Sequence, residues 1–339
     1  MPRKPTASKP TTSAVATEVK RRKSPAPTAK TSPALLKPTH QTPDGNARVY
    51  VGDCRDLLAR IPDCTLGNVD LVFADPPFNW NRKYDRLGSG DTWDDAALSE
   101  DEYLTFTYDW IDGCVRSLKP TGSFFINIPD DWAAEITCYL KGRLGRKPPH
   151  PMQMVNWCIW HYRFGQNTSG KYINSKVHVL YFARDPFQRT FNAEQVLEVS
   201  DRRSTYFDPR TENKRDGMPA GMRLPMDVWY GQYWGRIQGN NAERRANHDN
   251  QLPEVYLERV VLGHSNPGDL VLDPFLGSGT TGTVAHAHGR RFIGTEFSPT
   301  LARSAFERMT KIGMVRKGAS QGQSTAIFKA RNRRETAAP

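Results

Sequence analysis

Two short apolar segments, each followed directly by a loop that contains prolines or glycines, constrain the fold more than any other feature of the sequence. Residues 69–74 are apolar except for Asp70, and residues 270–272 are entirely apolar. Such runs lack the alternation of a strand with one wet face, and they are typical of strands that are covered on both faces. Segments with apolar residues at helical spacing lie between and around them. This alternation predicts an α/β fold with a mainly parallel sheet.

Turn residues and apolar spacing place the individual elements. A turn is expected at 119–122, where Pro120 and Gly122 follow a helical pattern. The predicted strands are 48–51, 69–74, 123–128, 156–162, 176–183, 270–272 and 291–295, and the predicted helices are 54–61, 102–118, 253–263, one that ends by 288, and 299–312.

The stretch from about Asp185 to Asn250 breaks this alternation. It is polar and rich in arginine, and it carries four aromatic residues close together: Trp229, Tyr230, Tyr233 and Trp234. We expect an insertion that lies on the sheet and is not part of it. The aromatic cluster has two interpretations, as core or as a platform for DNA, and the core is favoured.

The charge of the chain is concentrated at its ends. The whole chain has a formal net charge of +11, of which residues 1–45 supply +7 and residues 316–339 supply +5. The N-terminal segment has eight prolines and few bulky aliphatic residues, so we expect it to be disordered, and the C-terminal tail likewise. Both an arm that holds DNA phosphates and a solubilising tail remain open.

Several classes of protein are disfavoured by composition. No apolar run approaches the roughly 20 residues that span a bilayer, and the N-terminus lacks the apolar core of a signal peptide. The five cysteines form no C-x-x-C pair, so neither a zinc site nor redox chemistry is expected. We therefore expect no metal and no membrane, and a cytoplasmic protein with reduced thiols that lies, if prokaryotic, at the nucleoid.

The loop from Asp273 to Gly282 has the pattern of a nucleotide-cofactor site. A buried strand runs into glycines that let the backbone approach a ligand, and the next helix points its N-terminal amides toward it. Gly277, Gly279 and Gly282 satisfy G-x-G-x-x-G, and Glu296 follows at the end of the next strand, so a NAD site stays open. Asp273 departs from the dinucleotide pattern and instead suits a cofactor with a cationic amine, such as S-adenosylmethionine.

A second loop, Asp75-Pro76-Pro77-Phe78, follows the other buried strand. Open α/β sheets bind ligands at the carboxyl ends of their strands. The prolines restrict the backbone and leave the Pro76 carbonyl free to accept a hydrogen bond. A planar amine held between that carbonyl and the Asp75 carboxylate has both hydrogens engaged, while Phe78 stacks on the attached ring. This arrangement favours an exocyclic amine of a nucleic-acid base over a structural turn.

Together the two loops resemble the motifs of amino DNA methyltransferases. Residues 75–78 are similar to the D-P-P-[YFW] motif of that family, and residues 273–281 to its D-P-F-x-G-S-G-T-T motif. The catalytic motif comes first, which is the circularly permuted, beta-class order. The resemblance extends from about Val49 to Met309. It implies a Rossmann-like fold, with a mixed, mostly parallel seven-stranded sheet and helices on both faces.

The resemblance also implies site residues and a division of the chain. Asp75, Pro76, Pro77 and Phe78 would be catalytic, and the residues that would bind S-adenosylmethionine are Asp53, Asp273, Phe275, Gly277, Ser278, Gly279, Thr280, Thr281, Glu296 and Phe297. The expected parts are a tail (1–45), a catalytic half (46–184), a target-recognition insertion (185–250), a cofactor-binding half of the same domain (251–315) and a second tail (316–339).

Some of these residues also have structural interpretations. Asp53 suits the N-cap of the helix that begins at Cys54, and Glu296 is alternatively a surface acid at a strand end. Residues 248–253 are similar to the family's H-P-x-Q-K-P element, although Leu252 replaces its lysine and Asp249 its proline. The segment 160–166 is expected near the base pocket, and residues 227–240 are similar to a segment upstream of the cofactor half.

The implied reaction is transfer of a methyl group to the exocyclic amine of a base flipped out of double-stranded DNA. By the family's tendency, Asp before Pro-Pro favours adenine N6 over cytosine N4. The loop 79–95 is expected to assist the insertion in target recognition. A homodimer and a companion restriction endonuclease are both compatible with the resemblance. Methylation of RNA or a protein amide, a NAD-dependent oxidoreductase and a non-catalytic DNA-binding protein are the competing interpretations.

Overall fold

Strands and helices alternate along the part of the chain that this computed structural model describes: residues 35–80, 98–162, 165, 168–213, 217–231, 234–235, 237, 243–244 and 251–317. The strands are β1 (His40–Gln41), β2 (Ala47–Val51), β3 (Val69–Ala74), β4 (Leu118–Ile128), β5 (Gln153–His161), β6 (Lys176–Ala183), β7 (Glu198–Val199), β8 (Met222–Arg223), β9 (Val228–Trp229), β10 (Leu270–Asp273) and β11 (Arg291–Glu296). The helices are α1 (Cys54–Leu57), α2 (Pro62–Thr65), α3 (Glu100–Ser117), α4 (Asp130–Leu140), α5 (Asp201–Ser204), α6 (Glu254–His264), α7 (Thr280–Ala287) and α8 (Pro299–Lys317).

The predicted α/β fold with a mixed, mostly parallel sheet is confirmed. Within the described residues nine strands form one sheet, in the order β1-β2-β11-β10-β3-β4-β6-β5-β9. The five strands from β2 to β4 in this order are parallel, and β6 runs antiparallel between β4 and β5. The prediction of seven strands was too low, because β1 and β9 are two-residue strands at the edges, too short to leave a periodic pattern.

Helices cover both faces of the sheet. One apolar cluster packs α1 to α4 against one face, with Trp110 and Tyr103 fully buried in it. The other packs α6 to α8 against the opposite face, with Tyr256 and Phe292 fully buried. The two-sided cover explains why β3 and β10 have apolar residues on both faces. No helix among the described residues is long and apolar enough to cross a membrane.

The predicted boundary of the N-terminal tail at residue 45 was wrong. The backbone N–H of Thr39 donates to the Val49 carbonyl at 2.8 Å, and β1 pairs antiparallel with β2. Leu36 is likewise tied to Arg60 by a backbone hydrogen bond of 3.0 Å. Order here comes from backbone pairing with β2, and amino-acid composition does not reveal such pairing. The part of the predicted tail before residue 35 lies outside the described residues, as does the C-terminal tail after 317.

The expectation that residues 185–250 are not part of the sheet was also wrong. Trp229 in β9 pairs with Trp160 in β5, which extends the sheet by one strand. Trp229 and Trp234 are buried and surround Tyr256, and the Arg259 guanidinium lies 4.3 Å from the centre of the Trp234 ring. For these two tryptophans the core interpretation is confirmed.

Local differences from the predicted elements have identifiable causes. Residues 119–122, predicted as a turn, belong to an irregular part of β4, where the register with β3 shifts between Leu118 and Ser123. Lys119 there reaches Asp70, the one charge in β3, at 2.6 Å. The predicted helix 54–61 was too long: α1 ends at Leu57, and a second short helix, α2, begins at Pro62. Helix α4 was missed.

Candidate active site

Four acidic side chains that are distant in the sequence meet at one edge of the sheet. Asp53 and Asp75 follow β2 and β3, while Asp273 and Glu296 end β10 and β11. These four strands are parallel neighbours, so their carboxyl ends lie at the same edge. The register pairs Leu272 with Val72, which brings the two predicted loops side by side.

The loop after β3 is held by side chains from three other elements. Asn127 on β4 donates from Nδ2 to Oδ1 of Asp75 at 2.6 Å. Tyr103 on α3 donates from its hydroxyl to the Pro77 carbonyl at 2.7 Å, and Trp132 on α4 donates from Nε1 to the Phe78 carbonyl at 3.1 Å. These contacts restrict the loop's conformation.

The Pro76 carbonyl differs from the next two carbonyls along the chain. Within the described part of the chain, no hydrogen bond to this oxygen is found, whereas the Pro77 and Phe78 carbonyls are both occupied. Phe78 is half-buried, and Trp80 packs edge-on against it with ring centres 5.1 Å apart. The loop therefore combines a carboxylate, a carbonyl acceptor and an aromatic ring.

The glycines of the loop after β10 have separate structural reasons. Gly277 and Gly279 have φ values of 48° and 74°, a left-handed conformation that favours glycine. A Cβ at Gly279 would also lie 2.8 Å from that of Ala305 on α8, and one at Gly282 would lie 2.7 Å from the Phe292 ring. The G-x-G-x-x-G pattern thus reflects backbone conformation and close packing of α7.

A buried arginine fixes the same loop to its surroundings. Nη1 of Arg308 on α8 donates to the Ser278 carbonyl at 3.0 Å and to the Thr280 hydroxyl at 2.9 Å. Its other terminal nitrogen pairs with Glu254 on α6 at 3.2 Å. The Thr280 hydroxyl also donates to the Leu252 carbonyl at 3.4 Å. The predicted cofactor residues Ser278 and Thr280 therefore have a structural role in shaping the loop.

Burial makes the site electrostatically unusual. The pKa of Asp273 is raised from its ordinary 3.8 to about 7, mainly by burial and also by the charges of Asp75 and Glu296, while hydrogen bonds from Thr281 and the Phe275 N–H oppose the rise. Desolvation also raises the pKa of Glu296, whose two oxygens accept backbone N–H groups from Gly277 and Ser298. A cation beside these acids would stabilise their charged forms, so the site fits a positively charged ligand.

The remaining predicted residues take varied positions. Asp53 caps α1 and pairs with Arg55 at 2.6 Å; burial raises its pKa, but the hydrogen bonds from Arg55 outweigh this and lower it. Phe275 packs edge-on against Trp110, which turns it toward the core. Phe297, next to Glu296, is 46% exposed at the rim. No group of side chains suited to a metal is found among the described residues.

Leu252, the departure from the family's lysine, is 7% exposed and packs in the core beside α6. In the segment 160–166, Trp160 and Tyr162 are buried, and Trp160 donates to the Trp234 carbonyl at 2.6 Å, which indicates a structural role. The other predictions in these regions lie outside the described residues: 81–95, Arg163, Phe164, Gln166, Tyr233, Arg236, 238–240 and 248–250.

Sequence reasoning missed several residues of this site. Three side chains bind the loop 75–78 directly: Asn127, Tyr103 and Trp132. Tyr256 binds Asn127, and Arg308 binds the loop after β10. Only Asn127 left a readable signal, because it is the one polar residue in the apolar stretch 124–128.

Comparison with known proteins bears on this arrangement. A family model described as DNA methylase, for N6 and N4 methyltransferases, matches residues 69–307. The chain is 35% identical over 263 residues to the type II methyltransferase M.BamHI of Bacillus amyloliquefaciens, covering 77% of this chain and 56% of that protein. It is 31% identical over 264 residues to the DNA adenine methyltransferase YhdJ of Escherichia coli, covering 75% of this chain and 80% of that protein. The crystal structure of an M1.HpyAVI–SAM complex shares the fold, with a TM-score of 0.52, 18% identity, and coverage of 78% of this chain and 98% of that one.

Proposed function

Because the chain belongs to the DNA methylase family of N6 and N4 methyltransferases, we propose that it transfers a methyl group from S-adenosylmethionine to the exocyclic amine of a base in double-stranded DNA. The amine proposed is N6 of adenine, with N4 of cytosine as the alternative. A relative of 31% identity is named a DNA adenine methyltransferase, which supports the first choice.

One observation carries the proposal. The parallel pairing of β3 with β10 brings the Asp75–Phe78 loop beside the Asp273–Gly282 loop, although about 200 residues separate them in sequence. A base amine at the first loop and a methyl donor at the second would then be neighbours. The NAD interpretation leaves the Asp-Pro-Pro-Phe loop without a role, and family membership favours S-adenosylmethionine.

The residues around the second loop suit this cofactor. S-adenosylmethionine, the methyl donor of this family, supplies when bound a methyl group on a cationic sulfonium, which a nitrogen nucleophile attacks in line. Asp273 would neutralise the cationic methionine end, and Glu296 would accept hydrogen bonds from the ribose hydroxyls. Exposed Phe297 would lie against the adenine ring, and Asp53, which also pairs with Arg55, would lie near the adenine.

The first loop would prepare the amine for attack. The lone pair of an exocyclic amine is delocalised into the base, so the nitrogen is a weak nucleophile. Asp75 and the Pro76 carbonyl would each accept one N–H, which directs the lone pair out of the ring plane. Phe78 would stack on the flipped base. Attack by the amine would form the nitrogen–carbon bond as the carbon–sulfur bond breaks, and the methylated amine would then release one proton to solvent.

Contacts with DNA would come from other parts of the chain. We propose that residues 185–250 carry target recognition and that the basic tails hold phosphates without sequence preference.

Label transfer tests the proposed function. The full-length protein is incubated with unmethylated genomic DNA and S-adenosylmethionine carrying an isotopically labelled methyl group, and the nucleosides are analysed by mass spectrometry. Labelled N6-methyladenine is expected, and labelled N4-methylcytosine would reverse the choice of base. The absence of label in any nucleoside, with the cofactor bound, would overturn the assignment to DNA. Asp75→Asn should lose transfer, whereas Asp56→Asn, at an exposed position of α1, is the matched control.

A further inference from the structure

A buried amide supports the acidic end of the first loop. Asn127 is 1% exposed, and its neighbours on β4, Ile126 and Ile128, are fully buried. Burial of an amide in apolar surroundings is costly unless its polar atoms are hydrogen-bonded. Both ends of Asn127 have a partner: Nδ2 donates to Asp75 at 2.6 Å, and Oδ1 accepts from the Tyr256 hydroxyl at 3.3 Å.

The chemistry of the partners determines which way this amide points. An ionised carboxylate only accepts hydrogen bonds, so the NH₂ end of Asn127 must face Asp75. A tyrosine hydroxyl is able to donate, which suits the carbonyl end. Reversing the amide would place its oxygen against the Asp75 carboxylate and its NH₂ against the hydroxyl. The carboxylate therefore selects the orientation, and the Tyr256 hydroxyl stabilises it by donating to Oδ1 of Asn127.

Tyr256 is itself held in place by aromatic packing. It is fully buried on α6, and its ring lies edge-on to Phe73, Trp160 and Trp229 at centre distances of 5.8, 5.4 and 5.4 Å. Phe73 lies on β3, two residues before Asp75, which directly follows the strand. The hydroxyl is thus fixed relative to the loop.

We propose that Asn127 and Tyr256 are positioning residues, which hold the Asp75 carboxylate in the orientation that receives the target amine. This inference rests on the proposed function. The 2.6 Å bond from an amide to an anion is short and charge-assisted. It fixes the plane of the carboxylate and opposes its displacement by the like charge of Asp273. Tyr256 acts only through Asn127.

Steady-state methyl transfer with the full-length protein tests the inference. We expect Asn127→Ala to lower kcat about 30-fold and Tyr256→Phe about fivefold, the range that one hydrogen bond to a charged group and one neutral bond support. KM for S-adenosylmethionine should change less than about twofold, since the hydrogen bonds of these two side chains in the described structure lead to Asp75 and not to the second loop. The matched controls are Ser123→Ala, buried on the same face of β4, and Tyr181→Phe, a buried tyrosine of β6.

The double variant separates positioning from packing. If Tyr256 acts through Asn127, Tyr256→Phe should change kcat less than about 1.5-fold in the Asn127→Ala background. Independent fivefold effects in both backgrounds would overturn the inference, as would an equal loss of kcat in the control variants or unchanged kcat in Asn127→Ala. Wild-type protein that binds cofactor and labels no nucleoside would instead overturn the proposed function, and the inference with it.

Discussion

Replacing Asp273 by asparagine should stabilise the unliganded protein at alkaline pH while weakening its cofactor site. The side chains have nearly the same shape, and an asparagine Oδ1 still accepts from the Phe275 N–H, which lies 2.9 Å from the aspartate. The substitution removes the charge that burial opposes. An acid whose pKa is raised on folding binds its proton more tightly in the folded state, so stability is greatest below the unfolded pKa and declines as pH rises through the folded one.

The pKa of this carboxyl determines how much the stability of the protein changes with pH. With an ordinary pKa of 3.8 and a folded pKa of about 7, titration of Asp273 lowers the free energy of unfolding by about 3 kcal/mol between pH 5 and pH 8. The Asp273→Asn variant lacks this loss. Comparing the two proteins at the two pH values cancels any effect of the substitution that does not depend on pH.

Urea denaturation of the unliganded, full-length protein at pH 5 and pH 8 measures this difference. The exposed Asp56→Asn is the control and should follow the wild type at both pH values. The difference in the free energy of unfolding between wild type and variant should change between the two pH values. A change of less than about 0.5 kcal/mol would refute the reasoning, because the carboxyl would then titrate as in the unfolded chain. Calorimetric titration at pH 8 should show S-adenosylmethionine binding the variant at least about tenfold more weakly.

The other expected outcomes concern the first loop, the packing of α7 and the basic tail. Asp75→Asn should lower kcat at least about a thousandfold, yet leave the dissociation constant of S-adenosylmethionine within about tenfold of the wild-type value. Full activity in that variant would contradict the mechanism. Gly282→Ala should lower the free energy of unfolding by about 2 kcal/mol, because its Cβ would lie 2.7 Å from the buried Phe292 ring, whereas Gly145→Ala meets nothing within 4 Å and should stay within about 0.5 kcal/mol. Deletion of residues 1–34, which carry a net charge of +7, should flatten the dependence of DNA affinity on salt, and an unchanged slope would assign the segment no role in phosphate binding.

The sequence was most informative where local order and chemistry coincide. The bounds of β3 and β6 were predicted to the residue, because each is a continuous strand pattern bounded by turn residues. The predictions failed where order comes from distant partners, as in β1 and β9, which are two-residue edge strands that form only by pairing with β2 and β5.

The predicted site residues show the same division. The Asp-Pro-Pro-Phe and glycine loops were recognisable because the proposed chemistry requires particular residue types in succession. The separate tasks of the glycines were not recognisable, since they depend on φ angles and on the distance to α8. Arg308 left no signal, because nothing near it in sequence identifies Ser278 and Thr280 as its partners.

The sequence by itself thus determined the fold class, the family and the two loops, since each is encoded in a short run of residues. Tertiary structure alone decided how those loops are supported and charged. Tyr256 and Asn127 are 129 positions apart, and the carboxyls of Asp75 and Asp273 interact only because β3 and β10 are neighbours. Hydrogen bonds and desolvation depend on distance in space, and the order of residues along the chain does not specify that distance locally.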